Sequence, residues 1–379
     1  MKNVICEMLD IEFPVLAFSH CRDVVAAVSK AGGLGVLGAV AYSARRLEKE
    51  LTWIEEHAGG RPYGVDVLVP SKYVGQSEGG LDRTALAERI PDEHRRFVAD
   101  LLDRYGVPPL GDQRVHHNAL DQNISERGAS DLLDVVFDHQ VALVANALGP
   151  PPARMVDDAH ARGVPVAALV GTRAHALRQR DAGVDLIVAQ GYEAGGHTGE
   201  VATMVLVPEV IEAVAPVPVL AAGGIATGRQ MAAAMALGAK GVWTGSVWLT
   251  TEEAETHPVV KQKFLAATSS DTVRSKATTG KPARQLRSAW TDAWADPANP
   301  DPLPMPLQPA LVGDALRRIA RASMTPGSGA EDLVTYFVGQ VVGSMHTIRP
   351  ARRVLLEMVE EWVEVTTSQY EELIATQQT

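Results

Sequence analysis

Leu186-Ile187-Val188-Ala189-Gln190, Pro208-Glu209-Val210-Ile211-Glu212-Ala213-Val214 and Val217-Pro218-Val219-Leu220-Ala221-Ala222 follow one another in the chain. The first and last are short, unbroken apolar runs, and the middle one repeats its apolar positions at helical spacing. A strand buried on both faces reads as a continuous apolar run, so the stretch spells a parallel strand–helix–strand unit. The same unit recurs on either side. Strands are expected at Phe13–Ala17, Leu34–Leu37, Tyr63–Val69, Val141–Ala145, Val164–Leu169, Leu186–Ala189, Val217–Ala222 and Gly241–Thr244. Helical patterns lie between them at Arg22–Lys30, Ala44–His57, Ala153–Arg162, Arg173–Ala182, Pro208–Val214 and Gly228–Leu237.

Eight such units predict an α/β protein of the closed (β/α)8 type, a TIM barrel, over residues 1–269. An open dinucleotide-binding sheet is the alternative. It would need Gly-x-Gly-x-x-Gly after the first strand, whereas Gly32-Gly33-Leu34-Gly35 precedes and enters the second. An insertion at 71–131 leaves the third strand on the face where barrels carry their chemistry, and is a candidate lid. It holds one long helical pattern, Arg83–Tyr105, and another near Ser130–His139. The segment Pro297–Pro309 reads as a loop. Beyond it, Ala310–Ser323, Glu331–Val342 and Arg349–Thr367 are expected as helices, making 270–379 a mainly helical C-terminal subdomain packed on the barrel.

Composition narrows the function. The formal net charge of −11 and the absence of clustered Lys and Arg argue against a nucleic-acid partner. Two cysteines, Cys6 and Cys21, make neither a disulfide framework nor a four-ligand zinc site, and no metal is expected. The adjacent His116 and His117 read as solvent-facing loop residues. No run approaches the ~20 apolar residues of a membrane span, and acids stand where a secretory signal needs an apolar core. A cytoplasmic enzyme acting on a small molecule is expected, with a homodimer open.

The chemistry gathers after the sixth, seventh and eighth strands. There stand Gln190-Gly191-Tyr192-Glu193-Ala194-Gly195-Gly196-His197, then Ala222-Gly223-Gly224-Ile225, then Thr244-Gly245-Ser246. Barrels hold phosphate with the loops after strands seven and eight. Gly223 and Gly224 let backbone approach a phosphate without a Cβ in the way, and Ser246 adds a hydroxyl. This pattern alone does not separate a flavin from a sugar phosphate. His197, on a loop at the catalytic end, is the side chain suited to general base work near neutral pH. Glu193 is expected to brace its loop through backbone N–H groups.

These strings closely resemble the nitronate monooxygenase (2-nitropropane dioxygenase) family. The resemblance rests on Gln190–His197, Ala222–Ile225, Gly245-Ser-Val-Trp-Leu-Thr-Thr-Glu252, His257-Pro-Val-Val-Lys261, Gly280-Lys-Pro-Ala-Arg284 and Gly339-Gln-Val-Val-Gly343. It implies FMN held at the barrel mouth, with its phosphate near Gly223, Gly224, Gly245 and Ser246. Gln190, Gly191, Gly195 and Gly196 would line the flavin and substrate, with Ala17 and Phe18 in the first loop and Asp66 after the third strand. His197 would be the catalytic base toward a carbon acid α to a nitro group, and oxygen chemistry would yield a carbonyl compound and nitrite. Two departures stand out. Pro14-Val-Leu-Ala-Phe-Ser-His20 replaces a Gln/Ala-Pro-Met type loop, and Asp66 replaces an Asn.

The second reading is an NAD(P)H-dependent reductase of an enone or enoyl thioester, for which a lid-sized insertion suits a larger substrate. A non-redox isomerase or lyase of phosphosugars, and a non-catalytic flavin-binding scaffold, are further alternatives. A colourless protein points to the isomerase or lyase, unchanged turnover in His197→Asn to the scaffold, and fast anaerobic reduction by NADH or NADPH to the reductase.

Overall fold

The computed structural model describes residues 3–68, 83–110 and 126–377. Among these, the strands β1 (Val15–Ser19), β2 (Leu34–Gly38), β3 (Tyr63–Asp66), β4 (Leu143–Asn146), β5 (Val166–Val170), β6 (Leu186–Gln190), β8 (Val219–Ala222) and β9 (Val242–Thr244) close into a parallel barrel. β9 pairs back onto β1, with Ala17 opposite Thr244. The chain is a (β/α)8 barrel. β7 (Gly196–His197) stands outside the ring in a small antiparallel sheet ordered β10 (Thr272–Ser275), β11 (Ala283–Leu286), β7.

Alternation along each strand splits the core in two. Leu16, Leu34, Val36, Leu143, Ala167, Leu186, Val188 and Leu220 point into the barrel, where the N-terminal helix Val4–Leu9 packs Ile5, Cys6 and Leu9 against them. That helix, started by Asn3 accepting from Ile5 N–H (2.8 Å), was not expected. The intervening residues, Val15, Ala17, Val65, Val144, Ile187 and Ala221 among them, meet the outer helices.

A second core lies beside the barrel. Val98, Leu101 and Leu102 of helix Asp92–Arg104 in the insertion pack with Phe264, Trp290, Trp294, Val312 and Ile319. The Phe97 ring meets Trp294 edge-on at 4.7 Å. The expected single helix Arg83–Tyr105 is two, Arg83–Glu88 and Asp92–Arg104, because Pro91 cannot continue the first and caps the second. The expected helix Glu331–Val342 is also corrected. Only Ala330–Leu333 is α-helical; Tyr336 O then accepts from Leu286 N–H (3.0 Å), and Phe337 bridges Gln285 before a 3-10 turn at Gln340–Ser344. Pairing with β11 overrides the helical pattern there.

The last helix, Ala351–Gln377, packs Ala351, Val354, Leu355 and Met358 into the barrel's outer core, against helices Gly228–Ala236 and Arg22–Lys30. Gly228 makes the contact close: a Cβ there would lie 2.3 Å from Met358 O.

Candidate active site

The C-terminal strand ends form the barrel mouth. Register sets Gln190 beside Ala222, and Asp66 beside Gly38 and Ala145. From β6 the chain enters the loop 191–199, pinned by Gly191 N–H donating to Ala222 O (2.9 Å) and Tyr192 N–H to Val201 O (2.8 Å). Glycine at 191 is a matter of space, since a Cβ would fall 2.0 Å from Thr203 Oγ1; at 195 a Cβ would fall 2.8 Å from Gly339 N. At 196 the reason is conformational, with φ +74 and open space where a Cβ would stand.

Glu193 braces the loop. Its Oε2 accepts from Thr203 N–H (3.0 Å), so a carboxylate sits at the positive end of helix Thr203–Val214. Its carbonyl accepts from Gln340 N–H (2.9 Å), tying the loop to the C-terminal segment.

His197 is clamped on β7, opposite Ala283 of β11. Its Nε2 lies 2.9 Å from Thr279 Oγ1, and its ring centroid 6.4 Å from that of Phe337. Burial, helped by the charge of Lys281, pushes its pKa down to about 4, so the imidazole is neutral at pH 7. Arg284 secures the clamp. Only 2% exposed, it donates from Nε to Tyr192 O (3.1 Å) and from Nη1 to Thr272 Oγ1 (2.9 Å). Its guanidinium lies 4.4 Å, and that of Arg274 5.2 Å, from the Tyr192 ring.

Asp66 ends β3 with a buried side chain, and its Oδ1 has no hydrogen-bond partner among the described residues. Burial alone pushes its pKa up to about 7. A buried carboxyl oxygen left without a donor costs free energy unless something supplies one. Gly223 and Gly224 take φ of +90 and +74, and a Cβ on Gly223 would meet Gly191 O at 3.0 Å. Gly245 is open, a Cβ there meeting nothing nearer than Phe18 Cδ1 at 4.0 Å, and Ser246 Oγ accepts from Gly339 N–H (2.8 Å) while keeping its own proton to donate. The start of helix Gly228–Ala236 is already occupied: Thr227 and Gln230 form a capping box, and Glu361 Oε2 accepts from Gly228 N–H (2.7 Å).

The structure thus brings together Asp66, Gln190, Gly191, Gly223, Gly224, Gly245 and Ser246 on strand ends and the turns that follow them. Phe18 joins them, its ring stacked 6.3 Å from Trp243. Ala17 is fully buried, and its side chain packs toward the helices. His116 and His117 lie outside the described residues. Thr279, Phe337 and the clamping role of Arg284 escape a reading of the strand ends, since all three reach the site from the C-terminal third. Their one signal in sequence is the string Gly280–Arg284.

A sequence profile of the nitronate monooxygenase family matches residues 2–361. The chain belongs to that family. It is 65% identical over 364 residues to a chain of Mycobacterium tuberculosis described as a monooxygenase, covering 96% of this chain and 97% of the other. A Staphylococcus saprophyticus chain described as a nitronate monooxygenase is 31% identical over 297 residues, covering 74% of this chain and 77% of the other. Among solved structures, the nitroalkane oxidase of Streptomyces ansochromogenes superposes with a TM-score of 0.78 at 26% identity, over 96% of this chain and 99% of its own. FabK of Thermotoga maritima gives 0.69 at 26% identity, over 98% and 99%. This family member is a flavin-dependent oxidoreductase. Among the described residues no helix is long and apolar enough to cross a membrane.

Proposed function

We propose that the chain binds FMN at the barrel mouth and oxidises alkyl nitronates to carbonyl compounds and nitrite, with oxygen as final acceptor and His197 as base. The observation that carries this reading is the neutral imidazole of His197, clamped on β7 within the loop that follows β6.

The residues present fit the cofactor. Gly223, Gly224, Gly245 and Ser246 would hold the phosphate. Asp66, Gln190, Gly191, Gly195 and Gly196, with Phe18 near the end of β1, would surround the ring system, Ala17 contributing no more than its backbone, and the unpartnered Oδ1 of Asp66 suits a ring N–H. FMN, when bound, supplies the electron acceptor that no side chain offers. The rest falls to the chain. Thr279 has one hydroxyl proton, and Lys281 O stands 3.2 Å from it as acceptor. With that proton donated to Lys281 O, His197 Nε2 carries the hydrogen and donates to Thr279, leaving the Nδ1 lone pair to take the α-proton of a neutral nitroalkane, which thereby becomes the nitronate to be oxidised. Phe337, beside the imidazole, helps keep water from it.

The test is the absorbance spectrum of the purified protein, then nitrite release from ethyl nitronate. His197→Asn is expected to keep its FMN and lose roughly 100-fold to 10,000-fold in turnover of nitroethane, whose α-proton the base must take, and far less with ethyl nitronate, which has already lost it. Flavin that is neither bleached by nitronates nor accompanied by nitrite overturns the reading. The likeness to FabK supports a second reading, an NAD(P)H-dependent reductase of an enoyl or enone substrate. Rapid anaerobic reduction by NADPH or NADH, with none by nitronate, selects it.

A further inference from the structure

The loop 276–282 joins β10 to β11 and adjoins His197 through Thr279. It is fixed at three points. Gln308, fully buried, donates from Nε2 to Ala277 O (2.9 Å), and Thr278 Oγ1 donates to Gln285 Oε1 (2.9 Å). Gly280 is wedged against the segment that leads into helix Leu307–Ala322, where a Cβ would fall 2.1 Å from Leu303 O and 2.9 Å from Met305 N. Thr279, 4% exposed, meets His197 Nε2 on one side and accepts from Lys281 N–H (3.3 Å) on the other.

Lys281 therefore starts from a backbone with little freedom, beside the imidazole. Its side chain is half-buried, and among the described residues no carboxylate pairs with its ammonium. The one influence on its proton affinity is loss of solvent, which lowers it. Its charge in turn acts on His197. A partly desolvated ammonium without a counter-ion is unfavourable by itself, and nothing in the fold of this loop requires a cation at that position. The neighbouring Pro282 and Ala283 carry no charge either, so the ammonium is available to a ligand.

We propose that Lys281 is the anion-binding residue of this active site, taking the oxygen atoms of the small, singly charged anion that forms at His197 and setting its reacting carbon beside the imidazole. The inference rests on the reading of His197 as the base, and deepens it. An ammonium next to the base stabilises the negative charge that forms on the nitro oxygens as the imidazole takes the α-proton, and it equally holds a nitronate or a comparable small oxyanion that arrives already formed.

The probe is nitrite, a small oxyanion that needs no turnover. Nitrite is titrated into the flavin-loaded wild type and its Lys281→Met, Lys281→Gln and Lys281→Arg variants, following the flavin absorbance, with flavin content checked in each. The Kd for nitrite is expected to rise roughly tenfold or more in the two neutral variants and to return toward wild type in Lys281→Arg. The KM for nitronate should rise with it, more than kcat falls. The glutamine variant carries the test should the methionine one lose its flavin. Nitrite Kd within twofold of wild type in the neutral variants overturns the proposal, as does a wild type that binds no nitrite. A wild type that binds nitrite through Lys281 yet releases none from nitronates leaves the anion site standing and sinks the nitronate reading. Neutral variants at 281 that oxidise nitronates as well as the wild type do the reverse.

Discussion

His197 and Asp66 are both displaced from their ordinary proton affinities by burial, in opposite senses. With the His197 pKa near 4, the base form is present throughout the neutral range and is lost only as pH falls through about 4. The acid limb of kcat/KM for nitroalkane oxidation, which needs the base, should accordingly lie near pH 4. A limb near 6.5 would mean that the imidazole is solvated in the working enzyme. Asp66 carries the other sign. Its folded pKa of about 7 exceeds the ordinary 3.8, so the folded state holds a proton that the unfolded chain has released. That contribution to stability is complete below about pH 4 and disappears as pH rises through 7. The flavin-free Asp66→Asn variant should therefore unfold at higher urea than wild type at pH 8, by as much as about 4 kcal/mol, with the gap closing toward pH 4. An equal gap at both pH values would rule out titration as its cause. His197 was legible because two glycines precede it in a specific string. The pKa of neither group was, since burial is a property of what surrounds a residue and not of the residue itself.

At the scale of elements, the strands and helices of the barrel are what the sequence announces best. Arg22–Lys30 and Ala44–His57 are found with the expected bounds, and all eight strands start within two residues of expectation. Each is a local pattern reinforced by its neighbours. The three-stranded sheet was not legible. β7 is two residues long, β10 and β11 carry Arg274, Arg284 and Gln285 in place of apolar alternation, and their pairing is set by cation–ring and backbone contacts. Arg284 is the element's keystone, and lysine is no substitute, because one ammonium cannot both stack on Tyr192 and reach Tyr192 O and Thr272 Oγ1. Arg284→Lys should lower nitronate turnover roughly tenfold or more with a smaller change in KM for oxygen. Gly191→Ala should be harsher, since a methyl group 2.0 Å from Thr203 Oγ1 forces the loop away from the start of helix Thr203–Val214. Loss of FMN from the purified variant, read at 450 nm, checks it, and retention of full flavin would show that the loop gives way.

For the molecule as a whole, the outer ring is completed by a helix that begins at Ala351, far along the chain from β9. Position in sequence groups this helix with the C-terminal segment; its apolar face decides where it packs. Glu361 of that helix accepts from Gly228 N–H and pairs with Arg229 (2.9 Å), so it caps a neighbouring helix from outside. Glu361→Ala leaves that N–H without its partner and should lower unfolding stability by about 1 kcal/mol, measured by urea midpoint. Ending the chain at Pro350 should cost far more, because Val24, Val28 and Met231 lose the side chains that cover them. The expected outcome is insoluble protein, and a soluble, flavin-bound product would show the ring to be dispensable. The late helix also has a meaning for synthesis. When β9 leaves the ribosome, every barrel strand exists, yet roughly 100 residues, some five to twenty seconds of translation, still separate it from the helix that seals the ring. Through that interval the nascent barrel carries an uncovered apolar seam between its first and seventh outer helices, a natural landing place for a chaperone.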